Sequence, residues 1–402
     1  MMVLNNKRNF FIIDFFVAFL VVFGVVMFLP MFQSLQNIFG VSVSSIAWLP
    51  NIGYLSMILF PAVAGKVMSK VGAKKSLLLF IVVWIIGISV EIIALNTVSY
   101  FMFCGGRLIE ALAEASFFPI LLSMNKIVMK EEKDGKLGSS LVEIGSAIGG
   151  LVAAVVAGQF LNSPKTFLLI PIVIGALTWI FVFSSISEIR IEENHQSSNE
   201  LLNVKENKLD YISLLFMIFM TQITFAASQV YLSYYMESFN ASNSTGLVIS
   251  IEQILIATGA MSPMLLLRYF SFKSIRNTLI GVFVVCSIIL SQHISLPLSI
   301  LALSAICFIV GIGFSTLNIY LSKTVVTNAS EKISFYTAVR FAGGFALSFF
   351  WGNYIDKYKA LGYNYIKIFN NLYMMMAVLV VIISVIVIIM QNPNKKFWSE
   401  KN

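Results

Sequence analysis

The sequence predicts an all-α, polytopic membrane protein with twelve transmembrane helices in two six-helix halves. Of its 402 residues, 58% are hydrophobic and 11% are charged, whereas about 25% of the residues in soluble domains are charged. Long apolar runs recur along the chain, and each is close to the roughly 20 residues that cross a bilayer as a helix. One extended polar segment in the middle of the chain separates six runs from six. We therefore predict that these helices are embedded in a lipid bilayer.

Hydropathy defines the predicted spans one by one. The first begins directly after Lys7 and Arg8 and contains no small-residue cleavage site, so we interpret it as a span and not as a cleavable leader. The twelve spans are predicted at 10–32, 43–64, 76–95, 98–124, 138–161, 166–186, 211–236, 245–267, 275–292, 295–320, 334–354 and 368–390.

The distribution of lysine and arginine predicts the orientation of the spans. With both termini in the cytoplasm, the cytoplasmic segments contain 21 of the 27 basic residues, the external loops contain four, and two lie within spans. Positive residues favour the cytoplasmic side of a membrane, so we expect both termini inside the cell. The asparagine, lysine and isoleucine content is typical of a low-GC bacterium, which points to a bacterial plasma membrane.

The central polar segment predicts the domain organisation. Residues 1–186 are expected to form an N-terminal six-helix half, residues 187–210 a cytoplasmic linker, and residues 211–402 a C-terminal six-helix half with a cytoplasmic tail. A chain of six plus six spans is typical of transporters, in which substrate and ions bind near the bilayer midplane between repeats.

The sequence lacks the residues that several other functions require. Cys104, Cys286 and Cys307 lie inside predicted spans without pairing or metal-ligand spacing, and the two histidines, His195 and His293, are far apart, so no metal site is expected. The chain has no phosphate-binding loop, which excludes ATP as the energy source. Its net charge of +8 lies beside the spans and does not indicate nucleic acid. We therefore expect neither an enzyme nor a cofactor.

A basic loop follows the second predicted span and reads GKVMSKVGAKKSL. It resembles the signature loop of the major facilitator superfamily, in which a glycine, an aspartate, a basic residue, a second glycine and paired basic residues follow one another. The matching positions, assigned to a conformational role, are Gly65, Lys70, Gly72, Lys74 and Lys75. Ser69 replaces the aspartate, and a plain positively charged turn is the alternative interpretation.

The fifth predicted span contains a glycine motif, GSAIGG, with Gly145, Gly149 and Gly150. In the superfamily a Gly-Pro-x-x-Gly-Gly pattern at this span is typical of exporters that exchange substrate for protons, and Ser146 here replaces the proline. The resemblance favours outward transport. Glycines at this spacing also let helices pack closely without any such role.

The fourth predicted span contains three charges, in the stretch GGRLIEALAEASFFP. Arg107, Glu110 and Glu114 are spaced i, i+3 and i+7, so they share one helix face. Arg107 matches the first position of the Arg-x-x-Gln-Gly motif of drug and proton antiporters, and Glu110 replaces the glutamine. We hypothesise that Arg107 and Glu110 form a midplane ion pair whose carboxyl exchanges a proton. The alternative is that these charges are static and only hold the fourth span against its neighbours.

Four further carboxylates lie in predicted spans. Asp14 and Glu143 are candidates for proton coupling, although Asp14 is close enough to the cytoplasm to be simply solvated. Lys136 and Arg340 are candidate partners of Glu143. Glu91 and Glu252 are expected in the outer halves of their spans, where they either line a vestibule or extend to the surface.

Amide and aromatic side chains of the seventh predicted span indicate a substrate cavity. Such groups suit flat or amphipathic molecules, which they bind by stacking and a few hydrogen bonds. For the tyrosines of this span, the alternative is an interfacial aromatic belt. For Arg340 of the eleventh predicted span, the alternative is a positive anchor at the cytoplasmic interface. The residues assigned to substrate binding are Asn51, Gln222, Phe225, Gln229, Tyr231, Glu252 and Arg340.

The resemblance implies a secondary active transporter that works by alternating access and uses the proton gradient. The motifs resemble most those of bacterial drug exporters, so export of amphipathic or lipophilic small molecules by a monomer is the leading prediction. The alternatives are an exporter of one endogenous metabolite or lipid, a symporter or uniporter for uptake, and a non-transporting scaffold or sensor.

Overall fold

A computed structural model describes residues 2–128, 132–185, 208–324 and 329–390, and all regular structure in these ranges is helical. Two short 3₁₀ turns, Leu29–Met31 and Ser242–Ser244, accompany the α-helices. The α-helices are α1 Met2–Val26, α2 Phe32–Phe39, α3 Val43–Ile46, α4 Trp48–Leu59, α5 Pro61–Val71, α6 Ala73–Thr97, α7 Tyr100–Val128, α8 Glu132–Gln159, α9 Pro164–Ser185, α10 Lys208–Gln229, α11 Leu232–Glu237, α12 Thr245–Met261, α13 Pro263–Tyr269, α14 Phe272–Gln292, α15 Leu296–Thr324, α16 Ala329–Ala360 and α17 Tyr365–Met390.

The helices have the length and composition of membrane spans. Within the described ranges, eight are long and apolar enough to cross a bilayer, and a ninth results if Val43–Leu59 and Val63–Val71, bent by 59°, count as one broken span. The helices α7, with 29 residues, and α16, with 32, are also long enough but contain charged residues, and the apolar part of α8, Ile144–Gln159, is shorter. The predicted all-helical membrane fold is confirmed, although length and hydropathy do not independently give the number twelve.

The chain divides into two compact units. One comprises Met1–Ser197 with Asn243–Ser250, and the other comprises Ser198–Ser242 with Ile251–Asn402. In the first, α6 packs on α7 and α9, and α1 packs on α7, α8 and α9. In the second, α10 packs on α15, α16 and α17, and α14 packs on α15 and α17. The predicted linker lies outside the described residues up to residue 207.

The glycine motif of the fifth predicted span lies where α8 packs against α1. A Cβ atom on Gly145 would lie 2.3 Å from the carbonyl oxygen of Phe15, and one on Gly149 would lie 2.3 Å from that of Phe19. Because no side chain fits at these distances, the two backbones are in direct contact. Gly150 is buried in the same helix. Close helix packing, the interpretation that needs no export role, therefore accounts for two of the three glycines.

A second close contact joins α6 and α7. A Cβ atom on Gly87 would lie 2.6 Å from the backbone nitrogen of Glu110, and one on Gly106 would lie 2.8 Å from the carbonyl oxygen of Gly87. The two glycines therefore place the charged segment of α7 directly on α6. This contact positions the candidate site.

The basic loop joins α5 to α6 and is anchored on α9. Gly72 ends α5 with a φ of 91°, a conformation that side-chain-bearing residues rarely adopt. Lys74 Nζ donates a hydrogen bond to the carbonyl oxygen of Phe183, at 2.8 Å, near the end of α9, where a positive charge complements the helix dipole. Ser69, which replaces the family aspartate, donates to the carbonyl of Lys66 in its own helix, at 3.0 Å. Lys70 and Lys75 are exposed, and Gly65 is partly buried.

Candidate functional site

Arg107, Glu110 and Glu114 form one buried ionic cluster on α7. Arg107 Nη1 donates to Glu110 Oε2 at 2.6 Å and to Glu114 Oε1 at 3.1 Å, and Arg107 Nη2 donates to Glu114 Oε2 at 2.9 Å. The guanidinium thus holds Glu114 through two parallel bonds and Glu110 through one. Side-chain exposure is 2% for Arg107 and zero for both glutamates. The three residues that the sequence places on one helix face therefore form a network of hydrogen-bonded ion pairs.

Residues of two other helices leave room for this cluster. A Cβ atom on Gly24 of α1 would lie 1.9 Å from Glu114 Oε1 and 2.7 Å from Glu110 Oε1. A Cβ atom on Gly53 of α4 would lie 3.1 Å from Arg107 Nη2. The ring of Phe28 lies 5.4 Å from the Arg107 guanidinium carbon, within cation–π range. The charges are therefore enclosed by α1 and α4 as well as by their own helix.

Glu91 of α6 adds a third carboxyl to the cluster. It interacts electrostatically with Arg107, Glu110 and Glu114, and its Cγ lies 2.7 Å from the position of a Cβ on Gly106. Its side chain is fully buried, so the expectation that it lines an outer vestibule or reaches the surface is wrong. The sequence did not assign Glu91 to this cluster because Glu91 belongs to another helix, and its proximity depends on how α6 packs on α7.

The cluster contains more acidic than basic groups. Three carboxyls surround one guanidinium: Arg107 bonds to Glu110 and Glu114, whereas the carboxyl of Glu91 interacts with the carboxyl of Glu110. Full ionisation would place an excess of negative charge in a low-dielectric interior, which is strongly unfavourable. Proton uptake by a carboxyl removes that excess. The arrangement is chemically suited to bind and release protons.

The other two candidates for proton coupling lie elsewhere. Asp14 is fully buried in α1, so its predicted solvation is wrong. It precedes Gly24 by ten residues, which corresponds to about 15 Å along a helix, so Asp14 is not part of the cluster. Glu143 belongs to α8, but its side chain lies outside the described part of the structure, as does that of Lys136.

Three of the predicted substrate-binding residues lie together in the second unit. Arg340 Nε of α16 donates to Gln222 Oε1 of α10 at 3.2 Å, and its guanidinium carbon lies 3.9 Å from the centre of the Phe314 ring. The ring of Phe225, one turn after Gln222, meets Phe314 edge to face at 6.1 Å. Arg340, Gln222 and Phe225 thus form a half-buried polar and aromatic group, and the side chain of Arg340 is not merely a surface anchor.

Gln229 and Glu252 form a second group in the same unit. Gln253 Nε2 donates to Gln229 Oε1 at 3.1 Å, and Glu252 lies within interaction range of Gln229 and Cys307. Glu252 is fully buried, so the expectation that it lines a vestibule or extends to the surface is wrong for this residue too.

Asn51 and Tyr231 are buried and separate from these groups. Tyr231 donates a hydrogen bond to the carbonyl of Ser348, and its ring packs 6.2 Å from that of Trp351. Asn51 on α4 is 1% exposed, and its Oδ1 has no hydrogen bond to a described residue. Tyr231 therefore contributes to an aromatic core in this conformation.

A cavity of about 110 Å³ lies in the second unit between α10, α14, α15 and α17. Its lining is mostly aliphatic and aromatic, with Thr224 and Thr316 among the few polar residues and Arg276 as its one charged residue within the described ranges. None of the seven predicted substrate-binding residues lines it. This cavity was not predictable from the sequence, because most of its lining residues are apolar and form no motif.

The comparisons with known proteins agree with this architecture. The chain matches the Major Facilitator Superfamily over residues 15–351, and it belongs to that superfamily. Over 203 residues it is 27% identical to Multidrug resistance protein 2 of Bacillus subtilis (strain 168), a match that covers 49% of this chain and 48% of that protein. The chain thus spans about half the length of this relative.

Solved structures of transporters share the fold. A D-xylose-proton symporter has a TM-score of 0.76 at 13% identity, covering 96% of this chain and 98% of that one. A bacterial homolog to the human lysosomal transporter Spinster, inward-facing and occupied, has a TM-score of 0.75 at 11% identity, covering 96% and 97%. The nucleoside transporter NupG has a TM-score of 0.73 at 17% identity, covering 96% and 99%. At such low sequence identities, the similarity shows a shared fold.

The family membership defines the class of protein. The superfamily to which this chain belongs consists of multi-pass membrane transporters, which are not enzymes and need no cofactor. The family and the fold class predicted from the sequence are confirmed.

Proposed function

We propose that this transporter is a proton-coupled exporter of amphipathic or lipophilic small molecules. The observation that carries the proposal is the buried cluster of one guanidinium and three carboxyls around Arg107. Ionisable residues inside a membrane are costly to bury and typically mark ion pathways or proton relays. The similarity to a multidrug resistance protein, which covers about half of each chain, supports export of drug-like compounds.

Glu110 is the residue that we assign to proton exchange. Arg107 is held by Glu114 through two bonds and by Glu110 through one. When Glu110 takes up a proton, Glu114 therefore keeps the guanidinium in place. When Glu110 releases the proton, Arg107 is already positioned to neutralise it, which keeps the ionised form accessible. The proton moves while the geometry of the cluster persists.

The substrate is proposed to bind to the amide and aromatic group of the second unit, formed by Gln222, Phe225 and Arg340. Aromatic faces stack on flat molecules, and the amide supplies a hydrogen bond that orients them. The two halves, 1–186 and 211–402, are proposed to alternate access to the two sides of a bacterial plasma membrane as a monomer, with both termini in the cytoplasm.

The experiment is substrate-triggered proton movement in liposomes. Purified protein is reconstituted around a pH-sensitive dye, a pH gradient is imposed, and a panel of lipophilic cations, including ethidium, neutral drugs and metabolites is added. We expect proton movement with wild-type protein and none with Glu110→Gln. Glu237→Gln is the matched control, since Glu237 is an exposed carboxylate at the end of α11, outside the spans. It should behave as wild type.

Two results would contradict the proposal. Undiminished proton movement in Glu110→Gln would remove Glu110 from the coupling mechanism. No proton movement by folded wild-type protein with any compound would favour a specialised substrate, uncoupled transport or a non-transporting role.

A further inference from the structure

Glu252 is a carboxyl group enclosed by the second unit. Its side chain has no exposed surface. Neither of its oxygens has a described partner at full hydrogen-bond geometry, and the side chains of Gln229 and Cys307 lie close enough to interact with it as donors. It lies within interaction range of Gln229 on α10, Cys307 on α15 and Tyr373 on α17. Four helices, its own α12 included, therefore surround it.

The neighbours on α10 and α12 are amides. Gln253, the next residue of α12, donates through Nε2 to Gln229 Oε1. This bond leaves Gln229 Nε2 without a partner among the described residues. A hydrogen-bond donor that nothing else uses thus lies beside an acceptor that nothing else uses.

The neighbours on α15 and α17 are a thiol and a phenol. Cys307 Sγ lies 3.4 Å from the hydroxyl of Ser228, and Tyr373 Oη donates to the carbonyl of Ala227 at 3.3 Å. Both groups are neutral at physiological pH in their ordinary protonation states. In the described ranges no lysine, arginine or histidine forms an ion pair with Glu252.

Glu252 therefore differs from the carboxyls of the first unit. Arg107 supplies a positive charge to Glu110 and Glu114, whereas the described groups that interact with Glu252 are neutral dipoles. An ionised carboxylate without a counter-ion is strongly disfavoured in a membrane-embedded interior. A proton bound to Glu252 removes this cost.

We infer that Glu252 is a second proton-carrying group of this transporter, located in the second unit and independent of the cluster around Arg107. The inference deepens the proposed antiport and rests on it for its role in transport. It assigns a proton, and not a substrate cation, to this site because the side chain has no exposed surface through which a larger ion could reach it.

The neighbouring amides explain how the proton can leave. Gln229 Nε2 is available to donate to the ionised carboxylate, and the Cys307 thiol is a second, weaker donor. Hydrogen bonds to the charged form stabilise it. The site can therefore exchange its proton when the conformation changes, without a permanent counter-ion.

The first test is infrared spectroscopy of reconstituted protein at neutral pH. The carbonyl stretch of a protonated carboxylic acid lies at a higher frequency than the bands of an ionised carboxylate or an amide. The difference spectrum between wild type and Glu252→Gln should contain this band. The difference between wild type and Glu237→Gln should not contain it. A difference spectrum without the band for Glu252→Gln would show that Glu252 is ionised and would overturn the inference, whatever the protein transports.

The second test is the number of protons moved per ethidium molecule in liposomes. With two proton sites, Glu252→Gln should lower this ratio by about half, whereas Glu252→Asp, which keeps a titratable carboxyl, should restore it in part. An unchanged ratio in Glu252→Gln overturns the inference while leaving the proposed function intact. Wild-type protein that moves no protons overturns the proposed function, and the infrared result then decides the state of Glu252 alone. If Glu252→Gln does not fold, Glu252→Asp takes its place in both measurements and should shift the infrared band.

Discussion

At the scale of single residues, Gly24 determines whether the ionic cluster can exist. Its missing side chain provides the space into which Glu110 and Glu114 extend from α7. Any side chain at this position would have to displace the ends of both glutamates, which are enclosed in an interior packed as densely as organic crystals. The glycine is therefore as much a part of the site as the charged residues.

We predict that Gly24→Ala displaces the carboxylates and impairs both folding and transport. The new Cβ would lie 1.9 Å from Glu114 Oε1, so the fork between Glu114 and Arg107 must open. Overpacking of this kind typically costs about 1–3 kcal/mol. The measurement is the thermal unfolding midpoint in detergent together with proton-coupled transport.

Gly281→Ala is the matched control for this prediction. Gly281 lies in the interior of α14, and a Cβ there would meet nothing within 4 Å. This variant should keep the wild-type unfolding midpoint and transport. Equal behaviour of Gly24→Ala and Gly281→Ala would show that the cluster tolerates movement of its carboxylates.

The residues of the cluster were only partly predictable. The spacing of Arg107, Glu110 and Glu114 on one helix places them on a common face, so their proximity follows from local geometry. Glu91 and Gly24 belong to other helices. Their participation depends on which helices pack together, and neither hydropathy nor helical periodicity contains that information.

At the scale of secondary-structure elements, the contact between α6 and α7 depends on two glycines facing each other. Gly105 and Gly106 are consecutive residues of α7, but only Gly106 faces α6. A Cβ on Gly106 would lie 2.7 Å from Glu91 Cγ, whereas one on Gly105 would meet nothing within 4 Å. Adjacent residues of identical type thus have opposite tolerance to substitution.

We predict that Gly106→Ala destabilises the protein, by about 1–3 kcal/mol for the overpacked contact, and that Gly105→Ala does not. The α6 and α7 backbones would have to separate to accept the new methyl group, and Glu91 would move away from Arg107. The measurement compares the thermal unfolding midpoints of both variants in the same detergent. A destabilised Gly105→Ala, or an unaffected Gly106→Ala, would contradict the described packing.

The helices as elements followed the sequence closely, but their interruptions did not. Hydropathy averaged over a window predicts a continuous span at 43–64, whereas the structure breaks it between Leu59 and Pro61, with a bend of 59° to the following segment. Pro61 lacks a backbone N–H and begins a new helix there. Averaging over many residues smooths out such a local effect.

At the scale of the whole molecule, the distribution of positive charge predicts how the chain is oriented in the membrane. The loop between α8 and α9 is predicted to be external, and the loop between α5 and α6 is predicted to be cytoplasmic. Asn162 is an exposed residue of the first loop, and Ser69 is an exposed residue in the last turn of α5, next to the second. They offer a direct test of the orientation.

We predict that Asn162→Cys reacts with a membrane-impermeant thiol reagent added to intact cells, and that Ser69→Cys reacts only after the membrane is opened. The native cysteines, which are buried or partly buried, would first be replaced by alanine to give a silent background. The opposite labelling pattern would place both termini outside and would reverse the assignment of the basic loop.

The packing of Gly87 on Gly106 also restricts how water can reach the charged cluster. Glu91 and Arg107 lie on two helices whose backbones touch, so neither residue can separate from the other without breaking that contact. Gly24 of α1 and Gly53 of α4, two residues without side chains, also face the cluster. A hydration path to the cluster therefore opens by displacement of α1 or α4, while α6 and α7 act as a fixed wall. Kinetic isotope effects on proton movement should consequently be sensitive to bulk at positions 24 and 53.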